Sequence, residues 1–354
     1  APNIDMNSAG SVSLIKGANA LEYGGDAIGG VIIVNPIRIF AKDSLFGKTI
    51  INGQSNSKGY GFNSTFTKTS TNGWYVSGQT SYKKFGDFNS PDYILTNTGS
   101  ESRAFSLFTG RKEFEQGYEF YYSYLKNKIG ILRSSHIGNV EDLVDGINSN
   151  QPRIIDPFSY DISAPRQEVT HHIFKGKYYK RFKELGKLDI QYDYQNNHRF
   201  EFDIRRGDDR NVAAIDLKLQ SHTLKSTLQL DSKTATNFKL GVLARYQDHF
   251  ANPETGVRRL IPDYKKFDLG FHLISNFKPT DKILLDIGVR YDFNRVNAKK
   301  FYQTSRWEER DYNIDFQEII IQDFGTQLLV NPILDFHNFS ASSGIFFELD
   351  DENS

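Results

Sequence analysis

The sequence predicts an all-β chain: an antiparallel β-barrel wall of transmembrane type, with a compact strand–helix–strand element at its N-terminal end. Three observations predict it. Apolar and polar residues alternate with a period of two in segment after segment. The connections between those segments alternate between short and long. Aromatic residues make up 14% of the 354 residues, yet mean hydropathy is only −0.52. A soluble core draws more on Leu, Ile and Val, whereas abundant Tyr and Phe on a polar chain suit two-faced strands.

The alternation is clearest at residues 284–294, where Leu285, Ile287, Val289, Tyr291 and Phe293 share one face and Asp286, Gly288, Arg290, Asp292 and Asn294 the other. Leu188, Ile190, Tyr192 and Tyr194 alternate with Asp189, Gln191, Asp193 and Gln195. Phe267, Leu269, Phe271 and Leu273 alternate with Asp268, Gly270, His272 and Ile274. Trp74, Val76, Thr80 and Tyr82 repeat the pattern, as do His337, Phe339, Ala341, Ile345 and Phe347. Either a soluble sheet with one wet face or a membrane barrel explains such rows.

Connection lengths favour the barrel. Short connections fall at 70–73, 115–117, 183–187, 232–237 and 278–282; long ones fall between them, at 84–101, 129–166, 198–214, 249–263 and 295–332. Tight turns at one end and long loops at the other are what a membrane barrel requires. Roughly twelve strands result, mostly long enough to cross a bilayer at a tilt. In residues 216–230 the apolar positions change phase, since Leu217 and Leu219 share one face and Leu224, Leu228 and Leu230 the other. A bulge near residues 221–223 accounts for this, and so does a strand that continues above the membrane. Within the loops, Asn139 followed by Asp142, Leu143, Val144 and Ile147 predicts a short capped helix.

Composition narrows the function. Lys+Arg and Asp+Glu are both 43, so no basic excess points to nucleic acid. With no cysteine there are no disulfides and no thiolate metal sites. No apolar run approaches the ~18 residues of a membrane helix. The chain starts at Ala1 with no visible signal segment, and reads as a piece cut from a longer protein.

Residues 11–36 differ from the rest. An apolar strand, 12–15, runs into Lys16-Gly17; a short helical stretch, 18–23, stops at Gly24-Gly25; Gly29-Gly30 precedes a second strand, 31–34. Lys16-Gly17, Ala20, Tyr23-Gly24, Ala27 and Gly29-Gly30-Val31-Ile32 resemble the C-terminal end of the plug domain of TonB-dependent outer-membrane receptors. Ser13 departs from the acidic residue that many members carry. Residues 135–143 and 165–172 also look like the iron-transport branch of that family. The resemblance implies a plug end at 1–36 and the N-terminal part of a barrel at 37–354. It also implies ~22 strands around a plugged lumen, of which this chain holds about half. On the same ground the chain sits in the outer membrane of a Gram-negative bacterium. It takes up a bulky scarce solute, such as a ferric siderophore or haem, driven by TonB and its inner-membrane motor. The TonB-binding segment and most of the plug are absent. Lys16, Gly17, Tyr23, Gly24, Gly29 and Gly30 are then structural plug residues.

The glycines at 24–30 lack the Lys-Ser/Thr of a phosphate loop and the spacing of a dinucleotide fingerprint. His171 and His172 point to opposite faces of a strand and cannot chelate one ion together. No Gly-x-Ser-x-Gly occurs, and neither an enzyme, a resident metal nor a cofactor is expected. Arg205, Arg206, Arg210, Arg258 and Arg259 are loop candidates to contact an anionic chelate, with solvated loop tips as the plain alternative. Phe158, Tyr160, Phe301, Tyr302 and Trp307 are candidates to stack on an aromatic one, or members of an interfacial belt. A passive porin or a surface adhesin is the alternative within this architecture, and a soluble all-β binding protein the alternative outside it.

Overall fold

The computed structural model describes all residues except 1–2, 28, 40–41, 136–138, 206–210, 232–235, 281 and 348–354. Near the N-terminus, β1 (Ser11–Ile15) and β2 (Val31–Asn35) form their own antiparallel pair, joined through a 3-10 helix at Gly17–Glu22. The wall then begins with β3 (Ser44–Gln54), β4 (Gly59–Thr69) and β5 (Trp74–Phe85). A small hairpin, β6 (Phe88–Asn89) and β7 (Ile94–Leu95), interrupts it before β8 (Ser100–Lys112) and β9 (Gln116–Gly130). It continues through β10 (Arg166–Phe182), β11 (Gly186–Phe202), β12 (Ile215–Leu230) and β13 (Thr236–Ala251). The last strands are β14 (Asp263–Thr280), β15 (Ile283–Gln303), β16 (Ile320–Asp323), β17 (Gln327–Val330) and β18 (Ile333–Phe347).

One 14-stranded antiparallel sheet holds all the long strands in chain order. β3 stands at one edge, and β18 pairs with β15 at the other. The short members β16 and β17 extend β15 upward within a loop. Tight turns and long loops alternate from residue 70 onward, as expected. The first connection on the long-loop side, Ser55–Lys58, is itself only a tight turn.

The two faces are inverted relative to a soluble protein. The apolar row of β15 is bare: Ile287 is 52% exposed and Tyr291 41%. Phe271 on β14 and Phe339 on β18 continue that row in register. The polar row is covered, with Asp286, Arg290 and Asp292 all under 10% exposed. A continuous bare apolar row across neighbouring strands marks a face that meets something other than water. Two aromatic bands cross this outer surface. Trp74, Tyr118 and Phe120 meet near the tight turns. Nearer the long loops, Tyr124 packs on His172, Tyr194 and Tyr246 on His222, and Phe293 on His337. Such girdles mark the two interfaces of a membrane barrel.

Of the two explanations for the phase change in residues 216–230, a bulge near 221–223 is not found, and the strand that continues above the membrane fits. β12 keeps one unbroken register with both β11 and β13. Its phase change comes from length instead. At 16 residues β12 exceeds a crossing of about ten. Above His222 its outer face carries Gln220, Lys218 and Asp216, as suits water, while Leu217 and Leu219 turn inward. The predicted loop helix is α1 (Val140–Asn148), capped by Asn139, whose side chain accepts the Asp142 backbone N–H at 2.8 Å. No helix among the described residues is long and apolar enough to cross a membrane, which says nothing about crossing by strands.

Candidate functional site

The N-terminal element lies on the inner, polar face of the wall. Its 3-10 helix packs on β14, β15 and β18. Gly288 makes this possible: a Cβ there would stand 3.0 Å from both the Ala18 Cβ and the Leu21 Cδ1. At Gly30, with φ +111°, an added Cβ would meet the Ile15 carbonyl oxygen at 2.8 Å, so the return into β2 needs glycine. Lys16 precedes the helix and Gly17 begins it with φ +67°. Gly24 accepts the Ala27 N–H at 3.3 Å, and Gly29 faces open space.

Charges hold the element down. Arg290, 2% exposed, donates from Nη1 to the Leu21 carbonyl at 2.9 Å and from Nη2 to Asp292 Oδ1 at 2.6 Å. Its Nε adds bonds of 2.9 and 2.8 Å to the two Asp292 oxygens. The guanidinium is thus a fork between a buried carboxylate and the end of the 3-10 helix. Glu22 accepts from Lys225 at 2.6 Å and from Lys239 at 3.0 Å. Burial opposes ionisation of Glu22, but the charge and hydrogen bond of Lys225, then those of Lys239, outweigh it and hold the carboxyl below its ordinary range. Tyr23 lies under the Lys225 ammonium at 4.2 Å, and burial followed by the Glu22 charge pushes its phenol up to about 12. Asp5 makes a further tie, accepting from Gln79 at 2.8 Å and from Ser81.

At the other end the long loops pack into a cap. Asn97 donates to the Ile131 and Pro165 carbonyls at 2.9 and 2.8 Å and accepts the Ser163 N–H at 2.8 Å. Beside it lies an open pocket of about 390 Å³, whose lining includes Thr96, Arg133, Asp156, Asp203 and Arg205. Arg133 donates to the Ala164 carbonyl at 2.7 Å, and Arg205 to the Thr255 carbonyl at 2.9 Å. These carbonyl acceptors fix the guanidinium groups, and the carboxylates of Asp156 and Asp203 line the same pocket.

The loop candidates separate. Arg205 lines the pocket; Arg206 and Arg210 lie outside the described residues. Arg258 is exposed. Arg259 braces its own loop, donating to the Ala251 carbonyl and to Asp263, both at 3.0 Å, and lying over the Phe301 ring. Trp307, 3% exposed, is not presented to a ligand. It forms the centre of a small core with Leu328 and Val330, against which Tyr302, Tyr312, Ile319 and Ile320 pack. Phe158 and Tyr160 fasten their loop to the first tight turn, where Tyr160 donates to the Lys58 carbonyl at 2.7 Å and the Lys58 ammonium lies 4.3 Å from the Phe158 ring. His171 points inward to Asn197 at 3.1 Å and His172 outward to Tyr122 at 3.0 Å, on opposite faces as expected. Arg133 and Asp156 were not legible as site residues in the sequence, because only the loop fold brings them beside Arg205. Arg290 was missed as well. Its signal was an opposite charge two residues on, in a row with glycine.

No family model matches the sequence, and no curated protein does. Solved structures do. The chain is similar to the copper transporter OprC, with TM-score 0.65 and 12% identity, over 96% of this chain and 48% of that one. It is similar to the ferripyoverdine receptor of the outer membrane of Pseudomonas aeruginosa, with TM-score 0.66 and 15% identity, over 96% and 45%. The ferric-catecholate import receptor Fiu of E. coli K12 gives TM-score 0.67 and 10% identity, over 96% and 57%. The chain spans about half the length of the structures it matches. At such identities the likeness is one of fold. The chain therefore has the antiparallel β-barrel fold of outer-membrane receptors and transporters, with its polar strand face turned inward.

Proposed function

We propose that this chain is the end of the plug and part of the barrel wall of a TonB-dependent outer-membrane receptor. In this reading residues 1–36 close the plug and residues 37–354 begin the barrel. The protein takes up a bulky, scarce solute, such as a ferric siderophore or haem, by energy-coupled transport. Long loops capture the solute at the mouth, with the pocket beside Arg133 and Arg205 as the first point of contact. No bond is made or broken in the solute. The remaining plug, the TonB contact and the strands that would pair with β3 and β18 belong to the rest of the protein.

One observation supports this above the others. The polar rows of β14 and β15 are buried against the N-terminal element, while their apolar rows are bare. A passive porin has no need of an element anchored inside its lumen by Arg290 and Glu22. The test is uptake of labelled ferric chelates by cells that carry or lack the full-length protein. Uptake of at least one chelate should require the protein and should stop when the inner-membrane proton gradient is dissipated. Uptake that persists without the gradient would return the protein to the passive class.

A further inference from the structure

On the outer face of the wall, the long-loop end of β5, β8, β9 and β10 carries three cross-strand rows. The lowest, with Phe105, Tyr124 and His172, belongs to the upper aromatic band. The highest alternates in sign, since Lys84, Glu101, Lys128 and Glu168 stand opposite one another in register. The row between them does not alternate. There Tyr82, Arg103, Lys126 and Thr170 are successive partners, so two cations face each other directly across β8 and β9. Like charges placed directly opposite destabilise a sheet. The nearby carboxylates do not relieve them. Glu101 takes both Lys84 at 2.9 Å and Arg103 at 2.6 Å. Glu168 takes Arg166 at 2.8 Å, with Lys128 at 3.8 Å. Lys126 is exposed and has no bonding partner among the described residues. The Arg103 side chain is 65% exposed, and its guanidinium lies 5.7 Å from the Tyr82 ring. Lys84, Arg103, Lys126, Lys128 and Arg166 thus share two carboxylates. On the outer face of the later strands, by contrast, Arg295 pairs with Asp335 at 2.7 Å and Lys265 with Asp248 at 3.9 Å.

The patch lies on the face away from the lumen, and β5, β8, β9 and β10 each have a strand on both sides. Neither the plug nor further strands of the wall therefore cover it. Directly below the two cations the surface turns apolar, with Phe105, Leu107 and Phe174 all bare. A ligand that fits both halves is an amphiphile with an anionic head and hydrocarbon chains. A free anion or an acidic protein segment would leave the apolar half without a partner. We propose that Arg103 and Lys126, with Thr170 beside them, bind the phosphate of an anionic lipid headgroup on the long-loop side of the membrane. The acyl chains of that lipid lie on the Phe105 and Phe174 row. A guanidinium and an ammonium on adjacent strands suit a phosphate, which accepts from both and removes the repulsion between them. The site goes beyond the transport reading and does not depend on it. It rests on the outward orientation of the apolar row.

The test uses the full-length protein in phosphatidylcholine bilayers, with a single tryptophan at Phe105 and every other tryptophan replaced by phenylalanine. Phosphatidic acid or phosphatidylcholine with brominated chains is added as a minor component, and quenching is followed against its mole fraction. Phosphatidic acid should quench position 105 more strongly than phosphatidylcholine does, and the excess should shrink as salt rises. A single tryptophan at Ile287 should be quenched equally by the two lipids. R103Q/K126Q should lower the preference for phosphatidic acid at position 105 at least about tenfold, through loss of two cations at the lipid surface. The charge-preserving R103K/K126R should keep most of the preference, which separates an effect of charge from misfolding. K265Q, at a cation with its own carboxylate, should behave as the parent does. The proposal is overturned if the two lipids quench position 105 equally at low ionic strength, or if R103Q/K126Q keeps the parental preference. It is also overturned if K265Q loses as much or position 287 shows the same preference, since diffuse surface attraction would then suffice. Loss of the preference with position 287 still quenched sinks the site alone. Absence of quenching at position 287 by either lipid sinks the orientation of the wall as well.

Discussion

Arg290→Met tests the anchor of the N-terminal element. In the parent the guanidinium, with its side chain 1% exposed, satisfies both Asp292 oxygens and the Leu21 carbonyl. Methionine fills much of the volume but supplies no donor. The Asp292 carboxylate is then left buried without its partner, a defect of about 3–5 kcal/mol. At 1.4 kcal/mol per decade, the undocked population of the segment should rise roughly 10²- to 4 × 10³-fold. This chain has no cysteine, and with any cysteine of the rest of the full-length protein replaced by serine, Ala20→Cys gives a single reporter at a position 2% exposed in the docked state. Its reaction with a membrane-impermeant maleimide should be slow in the parent and accelerate by that factor in R290M. Adding Asp292→Leu removes the orphaned charge. The pair-to-apolar exchange is near neutral, so only the unsatisfied Leu21 carbonyl remains, at about 1 kcal/mol. The double variant should therefore return most of the way to the parental rate. Labelling of R290M at the parental rate, or failure of D292L to slow it, would refute the anchoring argument.

Three further outcomes follow from the same geometry. Gly270→Ala should raise the labelling toward that of R290M without altering any charge, because its Cβ would lie 1.9 Å from Arg290 Nη2 and 2.5 Å from Asp292 Oδ1, so the ion pair must shift to admit it. Glu22 has a depressed folded-state pKa against an ordinary value of 4.5, so its contribution to docking is complete above about pH 4.5 and disappears as the pH falls through the lower folded value. Pepsin cleavage at residues 21–23, normalised to a free peptide of the same sequence, should rise over that acid range in the parent and show no such step in E22Q. Trp307→Ala should cost the loop core about 3–5 kcal/mol and open residues 304–330 to proteolysis while the wall stays folded. Trp307→Phe should be tolerated, since the indole N–H is buried without a partner.

The wall was legible because its two signals are local. Period-two alternation in residues 284–294 and the alternation of turn and loop lengths need no knowledge of what packs where. The capped helix at Asn139 was legible for the same reason. What the sequence left ambiguous depends on position relative to the membrane or on distant partners. The swap of apolar and polar faces along β12 reads equally well as a bulge or as a strand rising out of the bilayer, and only an unbroken register separates the two. Trp307 reads as an exposed loop aromatic until residues 328 and 330 fold back over it. The anchor joins residues 21 and 290, too far apart for any local pattern to pair them. A partial signal was present. Gly270 and Gly288 lie in the polar rows beside Arg290 and Asp292: Gly288 leaves room for the Ala18 and Leu21 segment, and Gly270 for the Arg290 guanidinium itself.

With the bare apolar row against hydrocarbon and the opposite row against a protein-lined interior, the two rows differ in their access to lipid. A single tryptophan separates the two rows directly, placed at Ile287 on the outer row or at Thr223 on the inner one, with Trp74, Trp307 and every other tryptophan of the full-length protein replaced by phenylalanine. With the full-length protein in bilayers of brominated acyl chains, fluorescence from position 287 should be strongly quenched and fluorescence from position 223 nearly untouched. Equal quenching at both positions, or protection of position 287 from the brominated lipid, would overturn this orientation of the wall.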